Sequence, residues 1–294
     1  MTVAPFLAIK LAELEKDLAP TIPRVLSLAD DEAIHDMRVG IRRVRTILKL
    51  ARPVYGRFHG DAVRQSFAEI QRATGTLRDE EVLEELFGKL EVSDAIFIRW
   101  RTARKARERA LRRVVLARLR EGDLERASKL LIALVTLPVK PSRDADLAKF
   151  ARRCVERARR QVEAQRDVPV DDSVGLHELR IAYKHLRYAA EILADALPAD
   201  LAAMAKPASL FQKRLGEIHD ADVAILSATR ARGLPPVTRG RVLRALGELR
   251  QKNVGKYLEA TRAGVTAPTP GSAGPGASEG GVVKSAAKKA RSAQ

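Results

Sequence analysis

Aromatic side chains are scarce in this 294-residue sequence: seven Phe, four Tyr and one Trp make up 4% of the chain. Proteins that grip unpaired nucleotides usually stack the bases on aromatic rings, so a base-reading role has little material to work with. Cysteine is nearly absent as well. Cys154 alone excludes an internal disulfide and a cysteine-based zinc cluster, and its helical surroundings predict an inert core thiol. No stretch approaches the roughly 18 uncharged apolar residues of a membrane span. The opening MTVAPFLAIKLAELEKDL lacks a basic leader and turns charged early, so no secretory signal is expected and the default compartment is the cytoplasm. Acidic residues are also in deficit, with 37 Asp and Glu against 54 Lys and Arg, for a net charge of +17. Such an excess concentrates polyanions around a protein, which makes nucleic acid, anionic lipid and inorganic phosphate polymers the first partners to consider.

What the chain has in quantity is the apolar repeat of an α-helix. The 3.6-residue period predicts helices over about 4–19, 33–52, 60–88, 94–136, 145–166, 174–197, 200–231 and 237–262, with no sustained strand alternation. Pro20, Pro23, Pro53, Pro138, Pro141, Pro169, Pro198, Pro235 and Pro236 punctuate the gaps, and Gly122-Asp123 is expected to interrupt the long fourth segment. From about residue 264 the composition shifts to Pro, Gly, Ser and Ala and ends in a segment carrying Lys284, Lys288, Lys289 and Arg291. That composition predicts a disordered tail over 264–294, either a solvated end or an auxiliary arm for a polyanion.

An internal repeat organises the rest. Ile34 to Arg45 (IHDMRVGIRRVR) aligns with Leu176 to Arg187 (LHELRIAYKHLR) at an offset of 142 residues. Gln71 to Val82 (QRATGTLRDEEV) aligns with Gln212 to Val223 (QKRLGEIHDADV) at an offset of 141. Two blocks displaced by nearly the same distance predict two copies of a four-helix unit, about 1–140 and 145–263.

Within the first block, apolar residues at 34, 37, 41, 44 and 48 form a seam at helical spacing. His35, Arg38, Arg42, Arg45 and Lys49 follow the same spacing one residue later, about 100° around the helix. The cationic row therefore runs beside the buried face, where a neighbouring helix makes a groove. The second copy repeats it, with His177, Arg180, Lys184 and Arg187 beside Leu176, Leu179, Tyr183 and Leu186. Like charges at such spacing destabilise a helix by a few tenths of a kcal/mol per pair. A row kept in both copies without interleaved acid points to a ligand that neutralises it. Guanidinium forks match pairs of phosphate oxygens, so the chemistry indicated is multivalent phosphate binding. A further run of Arg101, Arg104, Lys105, Arg107, Arg109, Arg112 and Arg113 contains only Glu108 as an acid. His35 and His177 read equally as packed hydrogen-bonders or as ligand groups. Asp79 and Asp220 are expected to orient an arginine of the preceding helix. Gly75 and Gly216 are expected to let helices approach closely.

His-x-x-Arg-x-x-x-Arg-Arg-x-Arg at 35–45, its partner at 177–187, and Gly-x-Leu-Arg-Asp-x-Glu-Val at 75–82 with its echo at 216–223 resemble the CHAD domain, the conserved-histidine α-helical domain. The resemblance extends over residues 1 to about 263. It implies an all-α fold of two pseudo-twofold-related four-helix bundles lining a basic central cleft. It also implies binding of inorganic polyphosphate and association with polyphosphate granules. By position, the implied ligand-facing set is His35, Arg38, Arg42, Arg45, Lys49, Arg72 and Arg78, with His177, Arg180, Lys184, Arg187, Lys213, Arg214 and His219 from the second copy. That copy departs from the first, with His185 in place of Arg43, Glu191 in place of Lys49 and His219 in place of Arg78; weaker or more pH-dependent binding is expected there. The triphosphate-tunnel partner of some relatives carries Glu-x-Glu-x-Lys on a β-barrel. Glu13-Leu14-Glu15-Lys16 lacks that spacing, so its activity is not expected.

The leading expectation is thus a non-enzymatic polyphosphate binder without cofactor or metal. The alternative is a nucleoid- or RNA-associated protein that meets nucleic-acid phosphates through the same charges and the lysine-rich tail. His35-Asp36 and His219-Asp220 superficially resemble pieces of metal-dependent phosphohydrolases. No further ligands at metal spacing and no phosphate-cradling glycine loop accompany them. Oligomeric state is not legible.

Overall fold

A computed structural model describes residues 2–27, 32–136 and 146–263; the tail over 264–294 lies outside them. In chain order the helices are α1 (Val3–Leu18), α2 (Thr21–Ser27), α3 (Ala33–Leu50), α4 (Arg52–Tyr55), α5 (Arg57–Ala73), α6 (Gly75–Gly88) and α7 (Ala95–Leu119). They continue with α8 (Asp123–Thr136), α9 (Leu147–Glu163), α10 (Ser173–Ile192), α11 (Ala199–Ala202), α12 (Ala205–Thr229) and α13 (Pro236–Arg262). A single 3-10 turn spans Ala194–Ala196. Among the described residues no strand forms beyond one bridge between Thr2 and Asp146. The all-α expectation holds.

Local chemistry explains where the helices start and stop. Asp94, Asp146 and Asp172 cap α7, α9 and α10 by accepting hydrogen bonds from backbone N–H groups of the first turns, as N-cap carboxylates do. At α10 the cap leaves no room for a side chain on Gly175. A Cβ there would meet Asp172 Oδ2 at 2.5 Å and Val168 Cγ1 at 2.7 Å. Gly122 breaks the 94–136 segment into α7 and α8 by adopting φ +84°, a conformation costly for residues with a Cβ. The expected 60–88 helix is likewise two helices, α5 and α6, joined at the fully buried Thr74. Its counterpart α12 runs on without a break. Pro53 and Pro236 sit in the first turns of α4 and α13, where the missing N–H costs nothing.

Three apolar clusters hold the helices together. The first gathers α1, α3, α5, α8 and the end of α7 around Leu7, Leu11, Met37, Ile41, Phe67 and Leu131. It also takes in Phe150 and Ala151 of α9. The second packs α9, α10, α12 and α13 around Leu179, Met204, Phe211, Leu215 and Ile218. The third joins α6 and α7 to α12 and α13 through Leu83, Phe87 and Phe97 against Ala224, Ala228, Val242 and Leu246. Phe87 and Trp100 meet edge to face at 5.0 Å, and the Arg104 guanidinium lies 5.0 Å over the Trp100 ring.

Phe87 is fully buried where first-half and second-half helices meet. Phe87→Ala is expected to cost about 3–5 kcal/mol, read as a lower urea midpoint. Phe58→Ala, at a ring that is 83% exposed, should stay within about 0.5 kcal/mol of the wild type.

Candidate functional site

The α3 seam is buried at every apolar position the period marks: Ile34, Met37, Ile41, Val44 and Leu48. That fixes the helix rotation and leaves His35, Arg38, Arg42 and Arg45 half-buried along its edge, with Lys49 exposed at the end. On α10, Leu176, Leu179 and Leu186 are buried, and the half-buried Tyr183 stacks on Phe211 at 4.9 Å. His177, Arg180, Lys184 and Arg187 are half-buried beside them.

The junction of α5 and α6 anchors two α3 guanidiniums. Arg38 Nη1 donates to the Gln71 carbonyl at 2.8 Å and to the Thr74 hydroxyl. Arg45 Nη1 donates to the Gln71 side-chain oxygen. Both arginines keep a buried Nε–H with no partner, and so do Arg42 and Arg180. The second half lacks this anchor, because Thr74 aligns with Leu215, which has no hydroxyl. Gln212, the counterpart of Gln71, has a buried side-chain oxygen without a donor. Arg180 makes no side-chain hydrogen bond among the described residues. Its Nε lies 3.5 Å from where a Cβ on Gly216 would stand, so Gly216 gives room to a guanidinium. Gly75, by contrast, starts α6 and faces open space.

The two rows act on each other. Lys184 is pushed down to about 8, first by burial and then by Arg180 of its own helix and Arg42, Arg45 and Lys49 of α3. His185 is pushed down to about 4 by burial and by Lys49 and Lys184, so its imidazole is neutral at pH 7. Burial lowers Arg38, with Arg42 adding to the effect and Asp79 opposing it. Burial also lowers Arg45, with help from Arg64 and Arg72. His177 and His219 lie ring to ring at 4.6 Å. Burial holds the His177 imidazole below its ordinary value, and His219, Arg180 and Lys184 add to this. His219 Nδ1 is 3.4 Å from Asp220 Oδ1. His35 has no hydrogen-bond partner among the described residues.

Acids reach only part of the set. Arg78 pairs with Glu81 at 3.3 Å, Arg214 with Glu217 at 3.2 Å, Arg187 with Glu191 at 2.7 Å and the exposed Arg72 with Glu69 at 3.8 Å. Arg38, Arg42, Arg45, Lys49, Arg180, Lys184 and the exposed Lys213 have no carboxylate within 4 Å among the described residues. Arg187, Lys213 and Arg214 are not among the charges acting most strongly on Lys184.

Two expectations need correction. Asp79 and Asp220 hold no arginine of the preceding helix by a hydrogen bond: Asp79 acts on Arg38 through space, and Asp220 meets His219. The basic run of α7 is matched by acids of α6. Arg104 meets Glu80 at 2.6 Å, Arg101 meets Glu84 at 2.7 Å and Arg112 meets Glu81 at 2.9 Å. That run is largely a structural ion-pair layer. Sequence reasoning also passed over Gln71 and Thr74 as anchors, although the Thr74/Leu215 mismatch in the aligned blocks marks where the halves differ.

Among the described residues the fold is all-helical, and it crowds cations, most of them without a carboxylate partner, on the neighbouring helices α3 and α10. The sequence profile of the CHAD domain matches residues 11–228, and the chain belongs to that family. The match stops within α12, short of the boundary near 263 expected from the motifs. The fold is similar to the CHAD domain from the plant Ricinus communis, with a TM-score of 0.71, 21% identity, and 92% of this chain and 93% of that one covered. It is also similar to PptA from Streptomyces chartreusis, with a TM-score of 0.67, 16% identity, and 89% and 100% covered. No curated protein sequence matches the chain.

The field at Lys184 has a consequence for stability. Its folded value near 8 lies below the ordinary 10.5, so the folded state disfavours the charged form. This penalty is complete below pH 8 and fades as pH rises toward 10.5, where the unfolded chain also loses its proton. Lys184→Met is therefore expected to raise thermal stability at pH 7 by about 1 kcal/mol, roughly 2–4 °C. Melting curves across pH 7 to 10.5 should show the gap to wild type closing as pH rises.

Proposed function

We propose that the chain binds inorganic polyphosphate without transforming it, along a basic trough formed by the α3 and α10 cation rows. One observation carries this reading: Arg42, Arg45 and Lys49 of α3 act on Lys184 of α10, and among the described residues no carboxylate pairs with any of the four. A polyanion supplies the missing negative charge at many points. The guanidinium and ammonium groups of both helices that lack a carboxylate among the described residues supply charged donors for phosphate oxygens. In this reading the repeats at 1–140 and 145–263 are pseudo-twofold-related bundles, and the trough lies between them. The protein then acts in the cytoplasm at polyphosphate granules. His35, Arg72 and Arg78 extend the first-half contacts; His177, Arg187, Lys213, Arg214 and His219 extend those of the second half. The family to which the chain belongs supports the same reading.

The test compares long-chain polyphosphate with heparin and DNA of equal charge, using purified protein. Polyphosphate should bind more tightly than either, with affinity falling steeply as salt rises because bound phosphates release counterions. Arg38→Ala combined with Arg180→Ala should cost at least tenfold in affinity, on the order of 1.5 kcal/mol for each charge-assisted hydrogen bond removed. Removing Lys288 and Lys289 should cost less than twofold. Equal affinity for the three polyanions refutes the reading in favour of general nucleic-acid binding, and phosphate release with a divalent metal refutes its non-catalytic part.

A bound polyanion favours charged Lys184, so binding and protonation are linked. Above pH 8 the free lysine has lost its proton, and binding must restore it. Affinity should decline as pH rises from 8 to 10. Titration calorimetry at pH 8.5 in two buffers of different ionisation enthalpy should show net proton uptake, which Lys184→Arg removes.

A further inference from the structure

A cavity of about 680 Å³ lies at the end of the α3 row, between the first turn of α1, the last turn of α3, α4, α9 and α10. Its chemistry differs from that of the row. Val3, Leu50, Val54, Phe150, Ala158 and Ala189 give it an apolar wall. The exposed cations Lys49, Arg153 and Arg157 stand at its rim, and none has a carboxylate within 4 Å among the described residues. Arg52, also at the rim, is already held by Asp61 at 2.9 Å. Among the described residues no Asp or Glu lines the space. The two remaining titratable groups are uncharged at neutral pH. Burial and the neighbouring Lys49 and Lys184 keep His185 neutral, and burial pushes the Cys154 thiol up against the opposing pull of Arg157 and Arg153.

These features select a ligand by exclusion. A bare phosphate chain pressed against alkyl walls loses hydration that three rim cations cannot replace. A wholly apolar molecule leaves those cations without a counter-charge. The volume falls within the roughly 300–1,000 Å³ of small-molecule sites. We infer that the cavity binds a small amphipathic anion, a molecule with an alkyl or aromatic body inside and one phosphate, sulfonate or carboxylate head among Lys49, Arg153 and Arg157. The site goes beyond the polyphosphate reading and stands without it. Lys49 belongs to both, so an occupant of the cavity weakens the outer end of the row.

The test uses full-length protein with 8-anilinonaphthalene-1-sulfonate as fluorescent probe and decyl phosphate as competitor. The probe should bind and be displaced by decyl phosphate, but not by decanol, which lacks the charge, or by pyrophosphate, which lacks the apolar body. Arg153→Ala with Arg157→Ala, both exposed positions, should weaken probe binding at least tenfold. The same variant should leave polyphosphate affinity within twofold of wild type. Cys154, the single cysteine of the chain, lies in the cavity wall and reports occupancy directly. Decyl phosphate should slow its modification by neutral N-ethylmaleimide at least fivefold in wild type and not in the double variant. The inference is overturned if the probe does not bind, if the double variant binds it unchanged, or if decyl phosphate leaves Cys154 labelling unaltered. It is also overturned if probe and polyphosphate affinities fall together, because the cavity is then part of the phosphate track. Failure of wild type to bind polyphosphate would sink the proposed function and leave this site standing.

Discussion

Crowding of like charge around Lys184, with no carboxylate in pairing distance among the described residues, is the constraint that the rest of the structure must accommodate. Arg42, Arg45 and Lys49 of one helix and Arg180 of the other all act on Lys184, where burial already penalises charge. The same chain shows that compensation was available to it. Along α7 an equally dense arginine run is met by Glu80, Glu81 and Glu84 of the facing helix. The two basic regions therefore have different physics. The α7 run is largely closed by the glutamates of α6 as part of the scaffold, whereas Arg42, Lys49, Arg180 and Lys184 stay without a carboxylate among the described residues, at a cost in stability. The three apolar clusters offset that cost, and the cation-bearing edges are fixed in place by seams buried on the adjacent face.

The two halves are related in sequence but not equivalent in chemistry. In the first, Gln71 and Thr74 grip Arg38 and Arg45, so those guanidiniums are oriented before any ligand arrives. In the second, Leu215 and the unengaged Gln212 leave Arg180 without such a grip. Glu191, where the first half has Lys49, takes Arg187 as its partner. Oriented donors lose less freedom on binding than loose ones. The guanidiniums of Arg38 and Arg45 on α3 are thus pre-organised, whereas Arg180 on α10 is the more adaptable, and Lys184 is where the charges of the two helices act together.

Much of this was written in local periodicity. The spacing of Ile34, Met37, Ile41, Val44 and Leu48 fixed which side of α3 is buried, and with it the edge that carries the cations. Gly122 announced the break between α7 and α8 because only a residue without a Cβ takes that conformation easily. What stayed hidden depends on which helix packs beside which. The spacing of α7 says nothing about the glutamates of α6 that neutralise it. Thr74, which ends α5 and bonds Arg38, is an ordinary helix residue until the neighbouring helix is placed. That Phe87 and Phe97 join α6 and α7 to α12 and α13 depends likewise on packing that no local pattern shows. The cavity near Cys154 was invisible for the same reason: its walls join α1, α3 and α4 to α9 and α10, which come much later in the chain.

The most direct test follows the arginine side chains themselves. Arg38, Arg42, Arg45 and Arg180 have no carboxylate within 4 Å among the described residues, whereas Arg104 is tied by its guanidinium to Glu80 at 2.6 Å. Nitrogen-15 side-chain NMR during titration with long-chain polyphosphate reads both populations in one sample. The account predicts large, saturating shifts for the α3 and α10 arginines and little change for Arg104. Shifts confined to the α7 arginines, or none at saturating polyphosphate, would contradict it.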